Sequence, residues 1–150
     1  MPHTYASQFY HIVFATKDRL PSLPHPVRES VYAYLSGVAR SEKALLVITG
    51  GTADHVHLLI RMSTEYATAD VVRSIKANSS RWIHETYPTM RSFAWQRGYG
   101  IFTLGAKDRD VVYEYITHQE EHHRATTFEE EFQSMLRESG IEFDPRYLFV

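Results

Sequence analysis

Residues 44–62, ALLVITGGTADHVHLLIRM, constrain the fold more tightly than any other part of the chain. A run rich in Leu, Val and Ile ends in two glycines, and a second such run follows almost at once. Two strands so close in sequence pair as an antiparallel hairpin. Side chains alternate along a strand, so His55 and His57 project to one face. Val56, Leu58 and Ile60 project to the other, where helices can cover them.

The flanking sequence supplies further elements. Ser7 to Thr16, SQFYHIVFAT, is β-branched and aromatic and suits a strand, which KDRLPSLP then ends. From Pro26 to about Lys43, Val27, Val31, Leu35 and Val38 recur at helical spacing. A second helix fits Ala69 to Thr86, with Thr68 as candidate cap and Val72, Ile75, Ser79 and Trp82 along one side. FAWQRGYGIFTLG reads as one more strand, placing Phe93, Trp95 and Tyr99 on one face. Asp108 is placed to cap a third helix, Arg109 to about Arg124. Thr127 with Glu130 forms a capping-box pattern opening a fourth, Phe128 to about Glu138. The tail GIEFDPRYLFV is apolar enough to pack on the body. The order βαββαβ plus helices predicts an α+β, ferredoxin-like (RRM-like) antiparallel sheet with C-terminal helical additions. With 150 residues, no repeats and no low-complexity tract, one domain over 1–150 is expected.

Composition excludes several classes. There is no Cys, so disulfides and thiolate metal sites are ruled out. No apolar run reaches the ~20 residues needed to cross a bilayer. The N-terminal stretch lacks a signal-peptide layout, so cytoplasmic residence is expected. A net charge of -2 demands no polyanionic partner by itself. Nucleic-acid binding would need a local basic face. Arg73, Lys76 and Arg81 on the second helix, and Arg97, Lys107 and Arg109 around the last strand, are candidates for phosphate contacts. Each is equally a solvated surface charge.

Two imidazoles on one strand face can share a metal ion. They can also be two unrelated polar residues on a half-exposed sheet. In VVYEYITHQEEHHR, residues 111–124, Val112, Tyr115, Ile116 and Gln119 share a helix face. Tyr115 and Gln119 lie one turn apart, and a carboxamide oxygen can ligate a hard cation. An amphipathic helix with Tyr115 as packing explains the same spacing. Tyr113, His118, His122 and His123 compete for any chemical role on this helix.

The ordered set of YHIVFATKDRLP, DHVHLLI, IKANSSRWI, FAWQRGYGIFTLG, YITHQEEHHRATTFEEEF and GIEFDPRYLF resembles the single-tyrosine HUH transposases of the smallest bacterial insertion sequences, the IS-two-hundred-like family. HUH denotes His-hydrophobe-His, here His55-Val56-His57. The resemblance runs over nearly the whole chain. It implies that Tyr115 is the nucleophile, and that His55, His57 and Gln119 hold a divalent ion, Mg or Mn. The implied substrate is single-stranded DNA with hairpins near the element ends. The implied reaction is cleavage and rejoining through a 5′-phosphotyrosine. A tyrosine suits such exchange, because a phenol with a pKa near 10 leaves more readily than an alcohol. No Gly-rich phosphate loop is present, consistent with a reaction needing no nucleotide energy.

The resemblance further implies a homodimer. In some members the tyrosine helix of one subunit completes the histidine pair of the other, and TLGAKD, residues 103–108, would then be the hinge. Two other classes remain at the level of sequence. One is a non-catalytic or domesticated nucleic-acid-binding protein on the same fold. The other is a small metal-dependent hydrolase that activates water and forms no covalent adduct.

Overall fold

The computed structural model describes residues 3–150. Its first part runs β1 (Phe9–Ala15), α1 (His25–Ser41), β2 (Leu45–Gly51), β3 (His55–Arg61), α2 (Thr68–Thr86) and β4 (Gly100–Leu104). The strands form one sheet in the order β2-β3-β1-β4, with every neighbouring pair antiparallel. This is the ferredoxin-like arrangement expected from the βαββαβ order. Three shorter helices follow: α3 (Arg109–Thr117), α4 (Gln119–His122) and α5 (Phe128–Glu138). Among the described residues, no helix is long and apolar enough to cross a membrane.

The sheet is covered on both faces, and the period-two pattern decides what each face meets. Ile12 and Phe14 of β1 join Val56, Leu58 and Ile60 of β3 against α1 and α2, which contribute Val31, Leu35, Val71, Val72 and Ile75. The opposite face carries Val13 and Ala15, packed under Phe128, Phe132 and Leu136 of α5. His11, His55 and His57 belong to this second face, since His57 pairs with Val13 and His55 with Ala15. The tail closes the same side. Phe143, Leu148 and Phe149 pack there, and the backbone N–H groups of Asp18 and Arg97 donate to the carbonyls of Phe149 and Val150.

Three local expectations are corrected. Thr68 lies inside α2 rather than capping it, and Ala67 occupies the cap position. Strand β4 begins only at Gly100; residues 93–99 touch the sheet through a single bridge, Thr16 to Trp95. The reason is Lys76, whose ammonium donates to the carbonyls of Gln96 (2.6 Å), Arg97 (3.1 Å) and Gly98 (2.8 Å). Those carbonyls are turned to α2 and are lost to a ladder. Phe93 and Trp95 consequently fill the core, with the indole N–H donating to Ser79 at 2.9 Å. The third correction is a break in the helix after Asp108. Thr117 Oγ1 donates to the Tyr113 carbonyl (2.9 Å) and His118 Nδ1 to that of Glu114 (2.8 Å). These side chains take the acceptors of the final turn. His118 leaves helical geometry at φ -105, ψ 27, and a new short helix starts at Gln119.

Two glycines make the second layer possible. A Cβ on Gly50 would collide with the Ile116 carbonyl oxygen, and one on Gly100 would meet the Phe132 ring. The end of α3 and the middle of α5 therefore sit directly on strand backbone.

Candidate metal and tyrosine centre

His55 and His57 are both fully buried beneath the C-terminal helices. This excludes the reading of two polar residues on a half-exposed sheet. Their outer ring nitrogens are fixed. His55 Nδ1–H donates to Asp54 Oδ1 at 2.7 Å, and His57 Nδ1 meets His11 Nε2 at 2.7 Å. A carboxylate on Nδ1 sets the His55 tautomer and turns its Nε2 lone pair inward, as in carboxylate–histidine–metal arrangements. The Asp54 carboxyl is half-buried, which opposes ionisation, but its bond to His55 holds it below the usual carboxylate range.

Gln119 reaches the pair despite the helix break. Its Oε1 lies 2.9 Å from His55 Nε2, and its Nε2 donates to Glu131 Oε2 at 3.2 Å. Tyr115 also turns inward, its ring centroid 5.7 Å from that of His57, and its hydroxyl donates to Glu131. All four residues singled out by the sequence thus converge within one chain. Within the single chain, Tyr115 stands beside its own His pair. The seating of Ile116 against Gly50 anchors the tyrosine helix on its own sheet.

Glu131, at the centre of the cluster, was missed from sequence. It opens α5 inside an acidic run, Glu129–Glu131, that reads as a solvated first turn. A signal existed: Phe128, Phe132 and Leu136 mark the apolar side of α5, and Glu131 falls beside Phe128 by i, i+3 spacing. Its Oε1 lies 2.9 Å from His57 Nε2, 3.1 Å from His123 Nε2 and 3.7 Å from His55 Nε2. Its Oε2 accepts from Tyr115 and Gln119 and lies 3.3 Å from His122 Nε2. His11, equally unforeseen, was signalled by alternation with Val13 along β1.

Burial sets the protonation states. Burial lowers His57 to about 4 against the pull of Glu131. It lowers His11 to about 3, assisted by His57. Burial would lower His123 as well, but the Glu131 carboxylate outweighs it and raises that group. For Glu131, burial works upward, yet bonds from His123, His57 and Tyr115 hold it well below the carboxylate range. Burial and the adjoining Glu131 raise the Tyr115 phenol.

The donor set fits a metal ion. His55, His57, His123 and Glu131 each offer one ligand atom, all within 4.8 Å of one another. Ligand atoms ~2.1 Å from a common tetrahedral ion stand ~3.4 Å apart, so the cluster needs little adjustment. Tyr115 borders a cavity of about 580 Å³ shared with His11, Phe102, His122 and Glu131, through which a substrate can reach the hydroxyl.

The basic candidates are dispersed. Arg73 pairs with Asp70 at 2.5 Å on the exposed side of α2, and Arg81 donates to Asn78. Lys76 spends its N–H groups on the three carbonyls named above. Arg109 lies over the Phe9 ring at 4.3 Å.

Known proteins share this sequence and fold. The family model described as "Transposase IS200 like" matches residues 4–119. The chain is 28% identical over 125 residues to the transposase for insertion sequence element IS200 of Salmonella typhimurium, spanning 79% of this chain and 81% of the relative. It is 26% identical over 115 residues to the ISDra2 transposase TnpA of Deinococcus radiodurans, spanning 73% of this chain and 82% of that one. Among solved structures, a crystal structure assigned as a transposase from D. radiodurans R1 superposes with a TM-score of 0.66 at 24% identity, covering 79% of this chain and 95% of that one. A REP-associated tyrosine transposase bound to a REP hairpin superposes with a TM-score of 0.58 at 14% identity, covering 79% and 70%. Sequence and fold together establish that the chain belongs to the IS200-like transposase family and is a DNA transposase.

Proposed function

We propose that the protein cleaves and rejoins single-stranded DNA at insertion-sequence ends by transesterification on Tyr115. The observation that carries this reading is the convergence of half-buried Tyr115 on the buried cluster of His55, His57 and Gln119 in one chain. In this reading His55, His57 and Gln119 hold a divalent ion, Mg or Mn. When bound, the ion supplies a Lewis acid for a phosphate oxygen and positive charge that favours the phenolate.

The chain's own residues do the rest. Asp54 and His11 fix the imidazole orientations from outside. Glu131 Oε2 holds the Tyr115 hydroxyl and so directs its oxygen. That oxygen forms a bond to the phosphorus of the scissile phosphodiester. The bond to the 3′ oxygen breaks, and that oxygen leaves as a hydroxyl with a proton. Attack by another DNA 3′-OH reverses the step, so no net hydrolysis results.

The DNA substrate carries hairpins near the element ends, and Arg73 and Arg81 contribute phosphate contacts. Residues 1–150 act as a single domain, and two copies form a homodimer in which each protomer carries its own complete site. The family membership and the hairpin-bound structural neighbour support this reading.

The test is incubation of labelled single-stranded hairpin DNA with Mn and either wild-type or Tyr115→Phe protein. The reading predicts a denaturation-resistant protein–DNA adduct with the wild type alone. An adduct of equal yield with Tyr115→Phe, or strand hydrolysis with no adduct, would refute it. Equal hairpin affinity with no chemistry from either protein would favour a domesticated binding protein.

A further inference from the structure

His123 repeats the arrangement that makes His55 a ligand. Its Nδ1–H donates to the Thr126 carbonyl at 2.6 Å, which turns its Nε2 lone pair inward. There Nε2 stands 3.0 Å from Gln119 Oε1 and 3.1 Å from Glu131 Oε1. The interior is therefore lined by imidazole lone pairs and oxygen acceptors facing one another. Only protons or a cation can reconcile such a set. Glu131 brings the one carboxylate into it. Its two oxygens divide the work, with Oε1 toward the imidazoles and Oε2 toward the Tyr115 hydroxyl. Both residues lie beyond residue 119, where the family match ends.

We infer that His123 and Glu131 are metal ligands added to the strand histidines and Gln119, which gives the centre three imidazoles and one carboxylate and makes it selective for a manganese-type transition ion over magnesium. The inference rests on the proposed metal role of His55 and His57 and extends it. Imidazole nitrogen suits first-row transition ions, whereas Mg²⁺ demands oxygen and keeps its waters. An anionic ligand also binds the free ion more tightly than the neutral set His55, His57 and Gln119. The same carboxylate then ties the ion to the phenol, making Glu131 a positioning residue for Tyr115 as well as a ligand.

The experiment is Mn²⁺ titration of the full chain followed by EPR, with pulsed EPR counting the coordinated imidazoles. Wild type, His57→Ala, His123→Ala and the near-isosteric Glu131→Gln are compared, each checked for folding by circular dichroism. Glu131→Asp, which keeps the charge, serves as second variant at that position. Three imidazoles are expected in the wild type and two in His123→Ala. Mn²⁺ affinity falls about ten-fold or more in Glu131→Gln and recovers in part in Glu131→Asp. Millimolar Mg²⁺ leaves Mn²⁺ bound.

Two imidazoles in the wild type, with affinity unchanged in His123→Ala and Glu131→Gln but lost in His57→Ala, would overturn this inference and leave the proposed function standing. Mn²⁺ binding indifferent to His57→Ala would overturn both.

Discussion

Glu131 Oε1 lies 2.9 Å from Nε2 of His57, joining residues 74 positions apart at a site where both side chains are buried. The carboxylate arrives on α5, and α5 is held to the sheet by aromatic packing. The Phe128 ring stacks on His55 at 4.0 Å and on Phe132 at 5.6 Å.

Phe128→Ala removes that seat. A buried phenylalanine lost from a packed core costs about 3–5 kcal/mol. Urea denaturation should show a loss of that size. Amide exchange should speed up in α5 before it does in β1 and β3. A loss under ~1 kcal/mol would mean that α5 is not part of the cooperative fold.

Gly50→Ala places a methyl group against the Ile116 carbonyl. The sheet has no reason to unfold, but the end of α3 must lift. Adduct formation is expected to fall by about ten-fold or more, since a ~1 Å misplacement of a reacting group can cost a hundred-fold. Circular dichroism should remain close to wild type. Unchanged adduct yield would show that the tyrosine helix is not seated by this contact.

Stability depends on pH through His11 and His57. Burial lowers them from 6.5 to about 3 and about 4, so the native chain keeps both neutral. Below pH 6.5 the unfolded chain takes up protons that the native chain refuses, and stability falls with pH. The slope is about 1.4 kcal/mol per pH unit for each histidine. For His57 it runs down to about 4 and for His11 to about 3. His123, raised by Glu131, acts in the other sense: its contribution is complete below the unfolded pKa and fades as pH rises through the native one. Urea midpoints measured with chelator between pH 7.5 and 4.5 check the window, and His11→Asn should roughly halve the slope there.

Lys76 and the α2 arginines should separate. Lys76→Met strips the ammonium from three carbonyls and frees residues 96–98. Each orphaned carbonyl that stays buried costs about 1–3 kcal/mol, so denaturation detects the change. Arg73→Ala and Arg81→Ala should leave stability within ~0.5 kcal/mol but weaken hairpin binding and flatten its salt dependence. Affinity measured at several salt concentrations distinguishes the two behaviours.

What was legible in the sequence follows from periodicity. Alternation along β3 put His55 and His57 on one face and Val56, Leu58 and Ile60 on the other, as observed. The i, i+4 spacing of Tyr115 and Gln119 was readable too, although the continuous helix was not: Thr117 and His118 take carbonyls of its last turn, a competition that spacing does not reveal. Residues 93–99 carry a strand's composition, but Lys76 takes the carbonyls of Gln96, Arg97 and Gly98 that a ladder would need, a tertiary demand that composition does not reveal. Glu131 stayed hidden because three consecutive glutamates read as a solvated helix start. Its burial depends on Phe128 and Phe132 facing the sheet, which is a property of packing rather than of local sequence.

The central claim is that one chain carries a complete centre, and mixing inactive chains tests it most directly. Tyr115→Phe and His57→Ala proteins are combined with labelled hairpin DNA and Mn, beside a wild-type control. A centre assembled within each chain predicts an adduct from the wild type and none from the mixture. Adduct formation in the mixture, through Tyr115 of one chain and His57 of another, would contradict the account.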